Sequence, residues 1–355
     1  MSTDFPPHDF DLAAYDPNGV GVENGNLFGF PFSADTAQVW IVPVPWDVTT
    51  SYRPGTAAGP QAVLEASPQL DFFDLEDPEG WRRGIWMAPI AAQWQDQNRV
   101  LRTKADRLIQ SLEQGKDLTE SPELQQDLAE INQAGADLNA WVAATCGEAL
   151  DRGKIVGILG GDHSVPLGYL QALAQRHRNF GILHLDAHAD LRHAYEGFTY
   201  SHASIMDNVL QLPQVSKLVQ VGIRDLCPAE AAVIAANPDR IITHYDRHLQ
   251  AQRYAGQSWH ALCQQIIADL PPQVYISFDI DGLDPKLCPN TGTPVPGGLD
   301  WEPTLYLLRQ LSQSRQIIGF DLCEVGCDPW DANVGARVLY QLALMAGRSG
   351  ASVPA

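Results

Sequence analysis

A chain of 355 residues that is 45% hydrophobic and 19% charged has a globular composition and can bury a large core without disulfides. Its formal net charge of −20 argues against a nucleic-acid partner, whose phosphates would be repelled, and is compatible with a cationic substrate. We find no run of about 18 apolar residues and no signal-peptide pattern in the acidic, proline-rich N-terminus, so we expect a cytoplasmic protein without a membrane partner.

The apolar pattern changes at residue 37. Residues 1–36 have no clear periodicity, so we interpret them as an N-terminal extension and residues 37–355 as a single domain. Within the domain, short and mostly apolar runs without polar alternation recur, and each predicts a strand. The runs lie at 39–43, 155–159, 181–185, 218–221, 240–243, 274–278 and 317–320.

Helical patterns lie between most of these runs. The clearest has apolar residues three and four positions apart on one face: Leu124, Leu128, Ile131, Leu138 and Val142. Others follow Pro166 and run from about Asn333 to Met345. Apolar strands that alternate with helices predict an α/β fold with a parallel sheet buried on both faces. In such sheets ligands bind beyond the carboxyl ends of the strands, so functional residues are expected directly after a strand.

Four polar motifs directly follow predicted strands. They are Gly160-Gly161-Asp162-His163-Ser164, Asp186-Ala187-His188-Ala189-Asp190, Asp279-Ile280-Asp281-Gly282 and Asp321-Leu322-Cys323-Glu324. Each motif alone is compatible with an ordinary turn, but four together indicate one crevice lined by acids and histidines. Asp186, His188 and Asp190 alternate along the chain and would share one face if the strand continues. We expect Asp162 to orient His163, and His184 to lie in the core or to support the site.

The motifs together provide the ligands of a two-metal centre. They supply two imidazoles and four carboxylates: His163, His188, Asp186, Asp190, Asp279 and Asp281. Four negative charges balance two divalent cations, and without metal these acids would repel one another at close range. Nitrogen and oxygen ligands without thiolate are typical of Mn, Ni, Co, Fe or Zn, and the six cysteines form no Cys-x-x-Cys pair.

The order of these motifs resembles the ureohydrolase superfamily, which comprises arginase, agmatinase, formimidoylglutamase and their relatives. The resemblance covers about Val39 to Met345 and includes Ser51–Pro60 and Gly292–Leu299. It implies a three-layer α/β/α fold with a mostly parallel central sheet, and a homotrimer or homohexamer. It also implies hydrolysis of a guanidino C–N bond to release urea by two divalent ions, with manganese the family default and nickel the main alternative.

Carried over by position, the resemblance implies a role for each site residue. One metal would be held by His163, Asp186, Asp190 and Asp279, and the other by Asp186, His188, Asp279 and Asp281. Asp190 would also orient the attacking hydroxide and pass a proton to the leaving amine. Glu324 would pair with the guanidinium and His202 would shuttle protons, although a surface acid and a locally bonded loop histidine are the alternatives.

The loop at 191–202 departs from the family pattern and bears on the substrate. It carries Arg192 and three aromatic residues, Tyr195, Phe198 and Tyr200, where arginases have small polar residues. If Arg192 pairs internally, for example with Glu196, and the aromatics narrow the pocket, free guanidine fits, and this is the leading hypothesis. If Arg192 faces the site, a carboxylate-bearing substrate fits, such as arginine, a guanidino acid or formiminoglutamate. Agmatine, with its cationic tail, is a further alternative.

Two other classes of protein compete with this interpretation. Enzymes similar to histone deacetylases share a related architecture but use one zinc ion, whereas two full ligand sets favour two metals. A catalytically inactive regulatory homologue is the non-enzymatic alternative, but every ligand position is occupied here. The string from Glu324 to Asp331 also differs from the Glu-Val-Asn-Pro that is frequent in the family, which leaves one wall of the pocket open to interpretation.

Overall fold

The apolar runs form one sheet at the centre of the molecule. The computed structural model describes residues 15–349, in which eight parallel strands have the order β2-β1-β3-β8-β7-β4-β5-β6. The strands are β1 Val39–Val44, β2 Ile85–Met87, β3 Ile155–Gly160, β4 Phe180–Leu185, β5 Val215–Val221, β6 Ile241–His244, β7 Gln273–Asp279 and β8 Gln316–Cys323. Most of their residues are buried, as expected for a sheet covered on both faces.

Helices connect the strands and cover the sheet in two groups. Within the described residues they are α1 Gly59–Ala66, α2 Ala92–Glu113, α3 Pro122–Asp151, α4 Leu167–Ala174, α5 Ile205–Val209, α6 Pro228–Ala236, α7 Asp246–Tyr254, α8 Trp259–Ala268, α9 Trp301–Ser314 and α10 Pro329–Ser349. Helices α2 to α5 contact one another in succession, as do α8, α9, α10 and α1. The predicted α/β fold is confirmed, and its sheet is parallel throughout.

The structure corrects several predicted boundaries. Strand β2 was not predicted, because three residues are too few to form a recognisable apolar run. Helix α10 begins at Pro329 rather than near Asn333. Strand β8 continues to Cys323, so Asp321 lies inside a buried strand and does not follow it, contrary to the prediction.

The described part of the N-terminal segment packs against the edge of the fold at β2 and α10. The Asn26 side chain accepts a hydrogen bond from the backbone of Met87 (3.3 Å), and the Phe28 ring lies 5.2 Å from that of Tyr340. Residues 15–36 line no part of the cavity described below, and residues 1–14 lie outside the described residues. Within 15–349, no helix has both the length and the hydropathy needed to cross a membrane.

Candidate metal centre

The four strands that carry the motifs are neighbours in the middle of the sheet, in the order β3-β8-β7-β4. Since these strands are parallel, their carboxyl ends lie along one edge, and the side chains that follow them converge. His163 Nδ1 lies 3.1 Å from Asp186 Oδ2, 3.2 Å from Asp190 Oδ2 and 3.3 Å from Asp279 Oδ2. All four residues are buried, so the predicted crevice is present.

A second group of ligand-type atoms overlaps the first. His188 Nδ1 lies 3.1 Å from Asp281 Oδ2 and 3.5 Å from Asp186 Oδ1. Asp186 therefore directs one carboxylate oxygen toward His163 and the other toward His188. This arrangement is what a carboxylate shared by two metal ions requires. Within the described residues, two overlapping clusters could each hold a metal ion: His163, His184, Asp186 and Asp190 form one, and Asp186, His188 and Asp281 form the other.

Irregular backbone, rather than a continued strand, brings the second and third motifs together. Strand β4 ends at Leu185, and Asp190 has a left-handed backbone with φ of 55°. The strand does not continue through Asp186, His188 and Asp190, so the condition for a shared strand face is not met, although the side chains still converge. Asp281 lies in a 3₁₀ turn, where its backbone N–H donates to Asp279 Oδ1 at 2.8 Å. Left-handed non-glycine residues are strained and concentrate at functional sites.

The carboxylates of the site lack cationic side chains to balance them. Among residues 15–349, the four aspartates form ion pairs with histidines and with no lysine or arginine. Burial raises the pKa of Asp190 to about 6, and the charge of Asp186 adds to this shift. Burial also raises the pKa of Asp279 well above its usual value, with further repulsion from Asp281 and Asp186.

A pair of divalent cations would resolve this crowding. Buried carboxylates that repel one another remain ionised only beside positive charge, and no lysine or arginine among the described residues supplies it here. Despite burial, the neighbouring carboxylates raise the pKa of His163 and of His188 well above its usual value, and the histidines lower the pKa of Asp186, so the histidines are the counter-charges that the chain itself offers. The donors are imidazole nitrogens and carboxylate oxygens, a set that suits Mn, Ni, Co, Fe or Zn. The residues therefore fit two transition-metal ions.

The partner of His163 differs from the prediction. Its Nε2 lies 2.8 Å from Ser277 Oγ and 3.5 Å from Asp321 Oδ1. The carboxylate of Asp162 accepts hydrogen bonds from Thr49 and from Ser164 instead, so the expectation that Asp162 orients His163 is wrong. Sequence reasoning missed Ser277 because it lies within the apolar run of β7, 114 positions from His163.

Glu324 presents one free carboxylate oxygen to the site. Its Oε1 accepts the backbone N–H of His163 at 3.1 Å, whereas its buried Oε2 has no hydrogen-bond partner among the described residues. Burial raises the pKa of this carboxyl well above its usual value, and Asp162 and Asp281 add to the shift. Gly292 lies beside it, where an added Cβ would come within 2.9 Å of Oε2. The free oxygen is therefore available to a ligand.

A cavity of about 170 Å³ opens from this centre and contains six of the predicted site residues: His163, His188, Asp190, His202, Asp279 and Glu324. Thr49 Oγ1 accepts the backbone N–H of His202 at 3.0 Å, and His202 Nε2 lies 3.5 Å from Ser51 Oγ. Burial lowers the pKa of His202 to about 3, with nearby His188 adding to the shift, so the ring is neutral at pH 7. Neither Thr49 nor Ser51 was predicted as a site residue.

Arg192 is held at the wall of the cavity by two groups. Its Nε lies 3.6 Å from Glu230 Oε2, and its guanidinium carbon lies 4.6 Å from the centre of the Tyr195 ring. The partner is therefore Glu230 rather than Glu196. Glu230 is buried and also accepts the backbone N–H groups of Leu191 and Cys227.

Only one of the three loop aromatics lines the cavity. Tyr195 does so, whereas Phe198 is fully buried elsewhere and Tyr200 packs against Gly135 of helix α3. The expectation that all three narrow the pocket is therefore wrong. Phe198 and Tyr200 anchor the loop, and Tyr195 alone faces the cavity.

Comparison with known proteins places the chain in a family. The arginase family model matches residues 37–345. The N(1)-aminopropylagmatine ureohydrolase of Synechocystis is 32% identical over 297 residues, which cover 82% of each chain. The agmatinase of Photorhabdus laumondii is 30% identical over 310 residues, covering 84% of this chain and 85% of the other.

Solved structures share the fold. The proclavaminate amidinohydrolase of Streptomyces clavuligerus superposes with a TM-score of 0.69 at 22% identity, covering 93% of this chain and 99% of that one. The arginase of Bacillus cereus superposes with a TM-score of 0.63 at 22% identity, covering 87% and 98%. The family match and the identities of 30% and 32% extend over most of the chain. This protein is therefore an amidinohydrolase of the arginase family, a hydrolase of C–N bonds in linear amidines.

Proposed function

We propose that the chain holds two divalent metal ions and hydrolyses a guanidinium compound to urea. The first ion would be bound by His163, Asp186, Asp190 and Asp279, and the second by Asp186, His188, Asp279 and Asp281. The shared position of Asp186 between the two histidines supports this assignment. Manganese and nickel both suit the donor set.

The residues of the cavity account for the remaining steps. When bound, the metal ions supply a water of lowered pKa. The free Oε2 of Glu324 accepts hydrogen bonds from the planar guanidinium and holds the guanidinium carbon beside the proposed metal centre. Asp190 accepts a proton from the water that adds to this carbon, and passes it to the leaving nitrogen. His202, neutral at pH 7, passes protons between the cavity and solvent by accepting a proton at one ring nitrogen as it releases one from the other. The C–N bond then breaks to give urea and ammonia or an amine.

The state of Arg192 carries the proposal for the substrate. Among the described residues that line the cavity, Arg192 is the only arginine or lysine, and it is engaged by Glu230 and Tyr195. A substrate carboxylate would have to compete with Glu230 for it. We therefore favour a small guanidinium compound without a carboxylate, with free guanidine as the leading substrate. Arginine, guanidino acids and formiminoglutamate are disfavoured for the same reason.

A substrate with a cationic tail is the second candidate. Asp225 lines the cavity, its side chain is 67% exposed, and its Oδ2 lies 3.9 Å from His188 Nε2. A carboxylate at this position could bind the ammonium group of agmatine or of an aminopropyl derivative. The two relatives above are an aminopropylagmatine ureohydrolase and an agmatinase by name, which agrees with this alternative.

The test is urea release from guanidine, agmatine, arginine and 4-guanidinobutyrate by the chain loaded with manganese or with nickel. We expect the highest kcat/KM for guanidine. Asp225→Asn separates the two candidates, because it should raise KM for agmatine and leave KM for guanidine unchanged. If arginine or 4-guanidinobutyrate is the best substrate, the interpretation of Arg192 is wrong.

A further inference from the structure

A row of buried and half-buried polar side chains crosses the sheet directly beneath the candidate centre. His184 of β4 pairs in register with Gln220 of β5, and Gln220 pairs with Thr243 of β6. Neighbours in register point to the same face of a sheet, so the three side chains form a continuous row. His184 and Gln220 are completely buried, and on the other side of His184 the row continues to the buried Ser277 of β7, which pairs in register with His184.

Hydrogen bonds connect this row to the shared carboxylate of the centre. Thr243 Oγ1 donates to Gln220 Oε1 at 2.9 Å, and Gln220 Nε2 lies 3.0 Å from His184 Nδ1. At the other side of the ring, His184 Nε2 lies 2.8 Å from Asp186 Oδ2. The row therefore ends on the carboxylate proposed to contact both metal ions.

The chemistry of the contacts fixes the direction of each hydrogen bond. Gln220 Nε2 also contacts the backbone carbonyl of Ala189 at 2.8 Å, and a carbonyl can only accept, so the amide nitrogen must lie on that side. Its other hydrogen then points to His184 Nδ1, which accepts. The single proton of the neutral ring is thereby placed on Nε2, which donates to Asp186.

Gln220 acts on two parts of the centre at once. Through His184 it provides the donor that orients the Asp186 carboxylate. Through the carbonyl of Ala189 it holds the backbone between His188 and Asp190. Both effects concern residues of the irregular segment after β4, whose strand-type pairing is limited to an isolated bridge between His188 and Asp225.

We infer that His184 and Gln220 are positioning residues that orient Asp186 between two metal ions, an inference that rests on the metal centre proposed above. Groups of this kind typically change metal affinity about 10–100-fold when they are removed. In this assignment both residues act through Asp186 and the Ala189 carbonyl rather than as metal ligands, although His184 lies in one cluster of ligand-type atoms with His163, Asp186 and Asp190. A merely structural role in the core would lower stability without a selective loss of metal.

The experiment compares metal binding by the full-length wild type with three variants. His184→Phe keeps a ring but removes both nitrogens, His184→Gln restores an N–H donor near the Nε2 position, and Gln220→Met removes the amide. The control is His177→Phe. His177 Nδ1 contacts Gln273 Oε1 at 3.0 Å, and Gln273 is the first residue of β7, so this histidine lies at the amino-terminal end of the strands, away from the candidate centre. Metal content, dissociation constants from chelator competition and the EPR spectrum of the manganese form are recorded.

We expect two metals per chain in the wild type and in the His177→Phe control. In His184→Phe we expect at least one metal to bind about 10–100-fold more weakly, with a changed EPR spectrum and native circular dichroism. Gln220→Met should weaken binding in the same direction, and His184→Gln should recover most of the affinity.

Three results would overturn the inference, and they are distinguishable. If His184→Phe and Gln220→Met bind two metals as tightly as the wild type, the positioning role is wrong while the metal centre stands. If the wild type itself binds no transition metal, the proposed centre fails and this inference fails with it. A loss in His184→Phe that His184→Gln does not recover would assign the effect to packing rather than to the donor.

Discussion

At the scale of single residues, the free oxygen of Glu324 is the feature most directly tied to substrate binding. One carboxylate oxygen is fixed by the backbone of His163, and the other has no partner among the described residues. Glu324→Gln should keep the metals and lower kcat/KM by roughly 10- to 150-fold, because a hydrogen bond to a charged group contributes about 1.5–3 kcal/mol. Urea release and metal content measure the two effects.

The control for this substitution is Glu302→Gln, because the Glu302 side chain is 73% exposed and lies outside the cavity. It should leave kcat/KM unchanged. If Glu324→Gln also leaves kcat/KM unchanged, the guanidinium does not bind at Glu324.

Glu196 should make stability depend on pH. It has a left-handed backbone with φ of 57° and a buried oxygen, Oε2, without a hydrogen-bond partner. Burial, together with the charge of Glu113, raises its pKa from 4.5 to about 7, although Arg102 and Arg192 oppose the shift. The folded chain then holds a proton that the unfolded chain releases, so this contribution to stability is complete below pH 4.5 and is lost as the pH rises to about 7.

Glu196→Gln removes this dependence because the amide does not titrate. We expect the Tm of the variant to rise relative to that of the wild type between pH 4.5 and pH 8, as measured by thermal unfolding at several pH values. The exposed control Glu302→Gln should follow the wild type at every pH. A difference in Tm between Glu196→Gln and wild type that is the same at all pH values would contradict the account.

The six proposed metal ligands could be predicted from the sequence because chemistry restricts them to a few residue types that follow strands. The groups that hold these ligands and the cavity wall in place could not be predicted from the sequence. Ser277 and Gln220 lie inside strands β7 and β5, and Glu230, the partner of Arg192, lies in helix α6. Each is a common polar residue whose partner is set only by the register of the sheet or the docking of a helix. The partner of Arg192 was missed for the same reason.

At the scale of elements, helix α2 braces the loop after β1. Arg102 of α2 donates to the backbone carbonyls of Asp47, Val48 and Thr50, and its side chain is only 13% exposed. The same loop carries Thr49, which positions His202. Helix α2 therefore supports the cavity indirectly, through the loop that carries Thr49, although the helix supplies no predicted site residue.

Arg102→Ala should therefore lower both stability and activity. Carbonyls that lose their donor are expected to destabilise the fold by roughly 2 kcal/mol, and a displaced Thr49 should lower kcat. Thermal unfolding and urea release provide the measurements. Arg99→Ala is the matched control on the same helix, since its ion pair with Asp96 is exposed and should contribute less than about 0.5 kcal/mol. Equal effects of the two substitutions would refute the bracing role.

The elements themselves were predictable to different degrees. Strands β3, β4 and β7 are long apolar runs bounded by polar motifs, so the sequence located them closely. Strand β2 has three residues and owes its place to pairing with β1. The turn at Asp190 was not predicted, because left-handed backbone at a non-glycine residue has no signature in the sequence.

At the scale of the whole molecule, the net charge of −20 should assist a cationic substrate. The field of many acids raises the local concentration of cations, and salt screens it over a distance of about 10 Å at 0.1 M. We therefore expect kcat/KM for a guanidinium substrate to fall as ionic strength rises, with little change in kcat at saturation. An unchanged or rising kcat/KM would show that the overall charge has no part in substrate capture.

The most direct test of the central claim is a titration of the metal-free chain with manganese or nickel, followed by urea release from its best guanidinium substrate. Two ions are needed if Asp186 bridges them, so urea formation should rise with added metal and saturate at two ions per chain. Saturation at one ion per chain, or two bound ions without urea formation, would contradict the account.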